Sequence, residues 1–100
     1  MVNKIIADYL KTSKRLVVPQ FGAFIRKKDS GTIAFVPFLK KDDGVLTQLL
    51  CSAYGLTPND AQTVINAFVE EVKESVSTRG VYIIEGVGNI TTDPNGILRM

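Results

Sequence analysis

Apolar side chains recur every three to four positions in three stretches of the chain, which is the spacing of a helix with one buried face. The first stretch covers roughly residues 3–11, and the side chain of Asn3 can cap it. The second stretch follows Asp42 and Asp43, either of which can cap a helix N-terminus, and Gly55 ends it. The pattern therefore predicts two short helices, one at each end of the first half of the chain.

The third stretch has the strongest helix signals in the sequence. Thr57 is a capping residue, Pro58 occupies the first helical position, and Gly80 follows the last apolar residue of the stretch. We therefore predict that residues 57–77 form the longest helix and pack an apolar stripe against a sheet. The stripe consists of Ala61, Val64, Ile65, Phe68, Val72 and Val76.

Between and after the helices, β-branched and aromatic residues predict strands. Residues 15–25 form one apolar run, and Pro19 and Gly22 within it indicate an edge strand or a bulge. Residues 28–31 are a turn, and residues 32–38 return as the second strand of a hairpin. Near the end of the chain, residues 81–92 form a strand that is interrupted at 86–88. A turn at 93–96 then leads to a final strand at 97–100.

The predicted order is α-β-β-α-α-β-β, an α+β fold of one domain with a helical hairpin packed on short antiparallel β-hairpins. A stretch of the first half also recurs in the second. Residues 18–24 (VPQFGAF) align with residues 84–90 (IEGVGNI) at an offset of 66, and each is followed by a turn containing glycine. We interpret this as a partial internal duplication, 1–41 and 42–100, that can pack with pseudo-two-fold symmetry.

Composition removes most enzymatic functions. The chain contains no histidine and one cysteine, so imidazole catalysis, histidine-ligated zinc and an intramolecular disulfide are excluded. Cys51 lies in an apolar run and is expected in the core, and helix capping accounts for Asp42 and Asp43 without a metal. We expect no enzymatic activity, no cofactor and no metal. The absence of a long apolar run and the polar N-terminal residues predict a cytoplasmic protein with no membrane partner.

Charge is distributed unevenly along the chain. Residues 1–41 hold nine Lys and Arg against two acids, a net +7, whereas residues 42–100 hold three against eight, a net −5. An asymmetry of this kind is typical of a surface that binds a polyanion, although it also suits two halves that attract each other. We expect Arg26, Lys27 and Lys28 at one end of the hairpin. The other ends of the same strands should carry Lys14, Arg15, Lys40 and Lys41.

Residues 49–90 resemble the first half of a subunit of the HU/IHF family, the histone-like nucleoid proteins of bacteria. In that family a helical hairpin runs into a strand with an I-x-G-F-G-x-F signature, which here is Ile84-Glu85-Gly86-Val87-Gly88-Asn89-Ile90. The stretch 18–24 matches the signature with Gln20 in place of its first glycine. The resemblance implies that backbone N–H groups of the signature lie near phosphates. The matching positions are Gly86, Gly88, Asn89, Gly22 and Ala23.

The chain departs from the family where family members carry a long basic arm whose proline wedges between base pairs. Here the turns at 28–31 and 93–96 close within a few residues, and Pro94 follows Asp93 rather than basic residues. The resemblance therefore implies an arm-less, nucleoid-associated module that binds duplex DNA weakly and without sequence specificity. The alternative is a scaffold derived from the HU fold that binds proteins and not DNA. Pairing is expected as a homodimer or as a pseudo-dimer within one chain, and no small-molecule substrate is expected.

Overall fold

The computed structural model describes residues 1–100 and contains three helices and two three-stranded antiparallel sheets, in the order α-βββ-αα-βββ. This confirms the α+β class and the three helices, and it adds two strands to the predicted order. The helices are α1 (Val2–Tyr9), α2 (Val45–Tyr54) and α3 (Pro58–Arg79). The strands are β1 (Arg15–Val18), β2 (Gly22–Arg26), β3 (Ile33–Val36), β4 (Tyr82–Ile84), β5 (Gly88–Thr92) and β6 (Leu98–Arg99).

Both ends of α3 and the C-terminal end of α2 follow the predicted capping chemistry. The start of α2 does not, because its N-cap is Gly44 and neither Asp42 nor Asp43 caps the helix. The Thr57 side chain accepts a hydrogen bond from the Asp60 amide at 3.2 Å, and Gly80 ends α3 with a φ of 81°. Gly55 ends α2 with a φ of 67°. Just before α2, the Asp42 and Asp43 carboxylates accept hydrogen bonds from the amides two residues ahead, at 2.8 and 3.2 Å. Helix α3 is the longest helix, as predicted.

The start of α1 differs from the prediction. The helix begins at Val2, and Asn3 lies inside it and does not cap it. The Asn3 side chain instead lies within hydrogen-bonding distance of the Tyr82 hydroxyl, with its Nδ2 at 2.9 Å, and so joins α1 to β4. Burial raises the pKa of Tyr82 above its usual value, although the hydrogen bond to Asn3 lowers it in part. A polar side chain near a helix start can therefore satisfy a distant partner instead of the helix itself.

The strand prediction was wrong at two equivalent places, because each long apolar run folds back on itself. Residues 15–25 form two antiparallel strands, with Val18 opposite Gly22 and Arg15 opposite Ile25. Residues 82–92 do the same, with Ile84 opposite Gly88. The Pro19 region is therefore a tight turn between two strands and not a bulge within one. The physical reason is that proline fixes its own φ near the value that the second residue of such a turn requires.

These two hairpins have the same register. Adding 66 to the pair Val18 and Gly22 gives the pair Ile84 and Gly88. The turns also share one backbone hydrogen bond, which runs from the Phe21 amide to the Val18 carbonyl at 3.1 Å and from Val87 to Ile84 at 3.0 Å. The sequence echo thus corresponds to an echo of backbone geometry, and the internal duplication stays a prediction.

One hydrophobic cluster of 20 buried residues draws on both halves of the chain. Helix α2 packs against β1, α3 packs against β4 and β5, and α1 contacts both helices. Phe68 of α3 lies near the centre, with its ring at right angles to those of Phe21 and Tyr82 at centroid distances of 6.2 and 6.0 Å. Cys51, which was expected within the core, is half-buried at its margin. The first sheet is therefore held against the helices by the same core as the second.

Candidate nucleic-acid interface

The antiparallel pairing of β1 and β2 brings together, at the open end of the hairpin, basic residues that the sequence predicts at opposite ends of the strands. Because β1 and β2 are antiparallel, Arg15 lies opposite Ile25, and the Arg26 amide donates a hydrogen bond to the Lys14 carbonyl at 2.9 Å. Lys14 and Arg15 are consequently neighbours of Arg26. The prediction that Lys14 and Arg15 lie at the opposite end from Arg26 is therefore wrong, because the chain folds back at Pro19.

Lys27 and Lys28 continue this end of the sheet into the turn between β2 and β3. The Lys27 amide donates to the Thr32 carbonyl at 2.7 Å, and the Gly31 amide donates to the Lys27 carbonyl at 2.9 Å. These bonds fix the backbone of the turn, while the side chains of Lys27 and Lys28 are exposed. The turn is compact and does not extend away from the body of the protein.

Lys11 is a basic residue at this end that sequence reasoning did not select. It follows α1, and its carbonyl accepts a hydrogen bond from the Arg26 guanidinium at 2.8 Å. Its ammonium lies 3.5 Å from the Asp8 carboxylate, in the only ion pair of the molecule. Its position just past a helix end gave no signal in the sequence, since the contact with Arg26 spans 15 residues of chain.

Lys40 and Lys41 lie on the segment that leaves β3. The Gln20 amide donates to the Lys40 carbonyl at 3.1 Å, so Lys40 lies beside the turn between β1 and β2. Lys41 and Arg15 line the same open cavity of about 440 Å³, together with Val17, Leu39, Asp42 and Asp43. The segment after β3 therefore connects to the basic end of the sheet through Lys41 and Arg15.

Seven predicted cations lie around the first sheet, and we call them the basic strip. Five lie at the end where Arg15 pairs with Ile25, and the other two lie on the segment that leaves the opposite end. Apart from the half-buried Arg26, all of its side chains are exposed, and none of them forms an ion pair with a carboxylate. Unpaired, hydrated cations can exchange water for the oxygens of an anionic ligand. The basic strip consists of Lys14, Arg15, Arg26, Lys27, Lys28, Lys40 and Lys41.

The glycine of the first signature copy has a packing role. Gly22 is buried, and a Cβ atom at this position would collide with the Phe35 ring. Only a residue without a side chain therefore allows the β1–β2 hairpin to close over Phe35. Ala23, the neighbouring position of the partial copy, is fully buried as well. Neither residue has a surface that a phosphate could approach from solvent.

The second signature copy lies on the other sheet. Gly86 has a φ of 81°, and a Cβ added there would meet only the Ala7 side chain, while a Cβ added at Gly88 would press against the Met100 side chain. Asn89 is exposed and pairs with Ile83 across the β4–β5 hairpin. These three residues belong to a different sheet from the basic strip. The predicted cations therefore all lie on or beside the first sheet, separate from Gly86, Gly88 and Asn89.

The turn that carries Pro94 is held by its own aspartate. The Asp93 carboxylate accepts hydrogen bonds from the Asn95 and Ile97 amides at 2.9 and 3.0 Å. The carboxylate places negative charge at the tip of this hairpin, where the resemblance would have a basic arm. Pro94 accordingly occupies an ordinary turn position next to that charge.

None of the three helices combines the length and the apolar character that crossing a membrane requires. No family model matches the chain, and no curated protein and no solved structure is significantly similar to it.

Proposed function

We propose that this chain is an HU-like module that binds duplex DNA without sequence preference, through phosphate contacts made by the basic strip. The observation that carries the proposal is the fold-back of β1 on β2, which places Lys14 and Arg15 beside Arg26. Cations that are far apart in sequence thereby lie at one end of the first sheet. Phosphate contacts supply most of the affinity in non-specific DNA binding.

The local geometry suits a shallow, backbone-directed mode of binding. The Arg26 guanidinium uses one nitrogen for the Lys11 carbonyl, which orients the group and leaves its other donors available. The turns at 28–31 and 93–96 are both compact, and the second carries the Asp93 carboxylate. Without a projecting basic arm, the module lacks the ribbon that wraps and kinks DNA in the HU/IHF family. Binding is therefore weak and depends steeply on salt.

The second candidate is a scaffold that binds a protein, with no role in DNA binding. The observation that favours it is Ile83 on β4, which is 64% exposed and lies beside a cavity of about 500 Å³ that Met1 and Ala7 also line. Exposed apolar side chains around a concave surface are typical of protein contacts. This surface lies on the other sheet from the basic strip, so variants can test the two functions separately.

The test measures the affinity for a generic duplex as a function of salt. Each phosphate contact should contribute about −0.9 to the log–log slope, and the basic strip should make about four to six contacts. The triple variant Arg26→Ala, Lys27→Ala, Lys28→Ala should lose about two to three units of slope and retain its fold by circular dichroism. Lys27 and Lys28 lie in an exposed turn and contribute little stability, whereas the loss of the Arg26 bond to the Lys11 carbonyl should cost about 1.5–3 kcal/mol.

A charge-matched triple variant is the control. Lys73→Ala, Arg79→Ala, Arg99→Ala removes the same number of positive charges from α3 and β6, and its slope should stay close to that of the wild type. Equal losses in both triple variants would mean that net charge, and not the basic strip, determines binding. A wild-type protein that shows no retention on duplex at about 50 mM salt would contradict DNA binding itself and favour the scaffold.

A further inference from the structure

Phe38 is the most exposed large hydrophobic side chain of the protein. It follows β3, and 80% of its surface is accessible to solvent, compared with 64% for Ile83 and 41% for the neighbouring Leu39. The other four phenylalanines are buried. An aromatic ring left in water forgoes about 2–3 kcal/mol of burial free energy. This ring is therefore available to a ligand that covers it.

The backbone around Phe38 is anchored on both sides. The Leu39 amide donates to the Val36 carbonyl at 3.4 Å, and the Lys40 carbonyl accepts from the Gln20 amide at 3.1 Å. The ring is thus displayed from a segment attached to the β1–β2 turn. A ligand that stacks on the ring loses less affinity to ordering than it would on a free loop.

The charges around Phe38 determine which ligand fits. Lys40 and Lys41 lie two and three residues after it, and Lys41 lines a cavity together with Leu39 and with Arg15 of the basic strip. The Asp42 and Asp43 carboxylates line that cavity too and offset part of its positive charge, and each is held by a hydrogen bond from a backbone amide at the start of α2. An aromatic ring with unpaired cations nearby suits a nucleotide, because the base can stack on the ring while its phosphates contact the cations.

The same charges disfavour a second copy of the chain on this surface. In a two-fold symmetric contact, the patch on one protomer meets the same patch on its partner. Lys40 and Lys41 of both copies would then lie within one interface, and the repulsion among four like charges weakens association. A polyanion would instead be attracted by these lysines.

We propose that Phe38 stacks on an unpaired base of single-stranded nucleic acid, while Lys40, Lys41 and Arg15 contact the adjoining phosphates. This inference rests on the proposed phosphate binding by the basic strip and extends it, because it adds a preference for strands whose bases are free. Every base has a π-face, so the contact is tolerant of sequence. In a closed duplex the phosphates are accessible, but the bases are stacked on one another and cannot stack on Phe38.

The experiment uses three probes that separate bases from phosphates. Fluorescence anisotropy at about 50 mM salt, where electrostatic binding is strong, compares an oligothymidine strand, an abasic strand of equal length and a duplex. Phe38→Ala should weaken binding to oligothymidine by about 5- to 150-fold, the loss expected for one stacked base. Binding to the abasic strand and to the duplex should stay unchanged. Phe38→Tyr, which keeps the ring, should restore oligothymidine binding, and Ile83→Ala should change none of the three affinities.

Three outcomes would overturn the inference. Phe38→Ala could leave oligothymidine binding unchanged, or it could weaken all three probes equally. The wild type could also prove to be a dimer by light scattering that Phe38→Ala converts to a monomer, which would make the ring a self-association contact. Duplex binding by the wild type separates the two proposals. If the duplex binds and Phe38→Ala has no effect, only the stacking inference fails; if the wild type binds no probe, the proposed function fails as well.

Discussion

Gln20 and Gly86 occupy equivalent places in two turns of the same geometry, yet only Gly86 is suited to the backbone conformation there. Gln20 has a φ of 60° and is the only residue other than glycine with a positive φ, while Gly86 has a φ of 81°. A side chain in this region clashes with its own backbone and costs about 1–2 kcal/mol. The first hairpin therefore retains a local strain that the second hairpin avoids.

Gln20→Gly should stabilise the protein. Relief of the left-handed strain exceeds the extra entropy that glycine gives the unfolded chain, so the free energy of unfolding should rise by about 0.5–1 kcal/mol. For about 100 residues this corresponds to a Tm increase of about 2–6 °C. Thermal unfolding followed by circular dichroism measures the change.

The reciprocal variant Gly86→Gln is the matched control. A Cβ at this position would meet only the Ala7 side chain, at an ordinary contact distance of 3.6 Å, so backbone strain is the main cost. This variant should lower the free energy of unfolding by about 1 kcal/mol. Two shifts of the same sign would show that the two turns are not equivalent.

Single residues with strong local chemistry could be predicted from the sequence. Thr57, Gly55 and Gly80 do what their chemistry requires, because helix ends depend on groups only a few residues away. Gln20 gave no such signal, since glutamine rarely adopts a positive φ. Gly22 indicated a bulge or a phosphate contact, whereas its role is to leave room for the Phe35 ring. That ring is 13 residues away in sequence, so no local pattern could show it.

Among the elements, the strands illustrate where local pattern stops being sufficient. Residues 15–25 are apolar almost throughout, and burial on both faces removes the alternation that would mark a strand's length and its end. Pro19 is compatible with a bulge, an edge strand or a turn, and only pairing with β2 decides among them. The location of the basic strip depends on that choice, so the sequence could name its cations but not their arrangement.

Helix α3 packs on the second sheet and reaches the turn of the first hairpin through Phe68, which is the residue that tests this packing. Its side chain is 4% exposed and contacts rings from the first hairpin and from β4. Phe68→Ala should lower the free energy of unfolding by about 3–5 kcal/mol, through lost burial and the cavity left behind. Chemical denaturation followed by circular dichroism should report this loss, or a protein that is already unfolded in buffer.

Two further variants on α3 make that result specific. Phe68→Leu keeps most of the volume and should cost clearly less than Phe68→Ala. Glu70→Ala, on the exposed side of the same helix, should change the free energy of unfolding by less than about 0.5 kcal/mol. If Phe68→Ala cost no more than Glu70→Ala, the central position of Phe68 in the core would be wrong.

For the whole molecule, the two sequence-related hairpins lie on one core instead of two. The buried cluster includes Val18 and Phe24 from the first sheet and Ile84 and Ile90 from the second, together with apolar residues of all three helices. Strands β3 and β6 also contact each other, which brings the two sheets together within one chain. In this arrangement the second hairpin covers apolar surface of the same chain. Of the two forms of pairing, homodimer and pseudo-dimer, we therefore expect the pseudo-dimer.

We therefore expect the protein to be a monomer in solution. A chain that buries 20 apolar residues in one cluster has already formed the contact that pairing would supply. Light scattering at micromolar concentration should give a mass near 11.0 kDa, independent of concentration and of salt. Ile83→Ala and Phe38→Ala should give the same mass, because in a monomer neither exposed side chain lies in a subunit interface. A mass of twice that value which falls on dilution would instead establish a homodimer. The effect of the two variants on that mass would then show which exposed surface forms the interface.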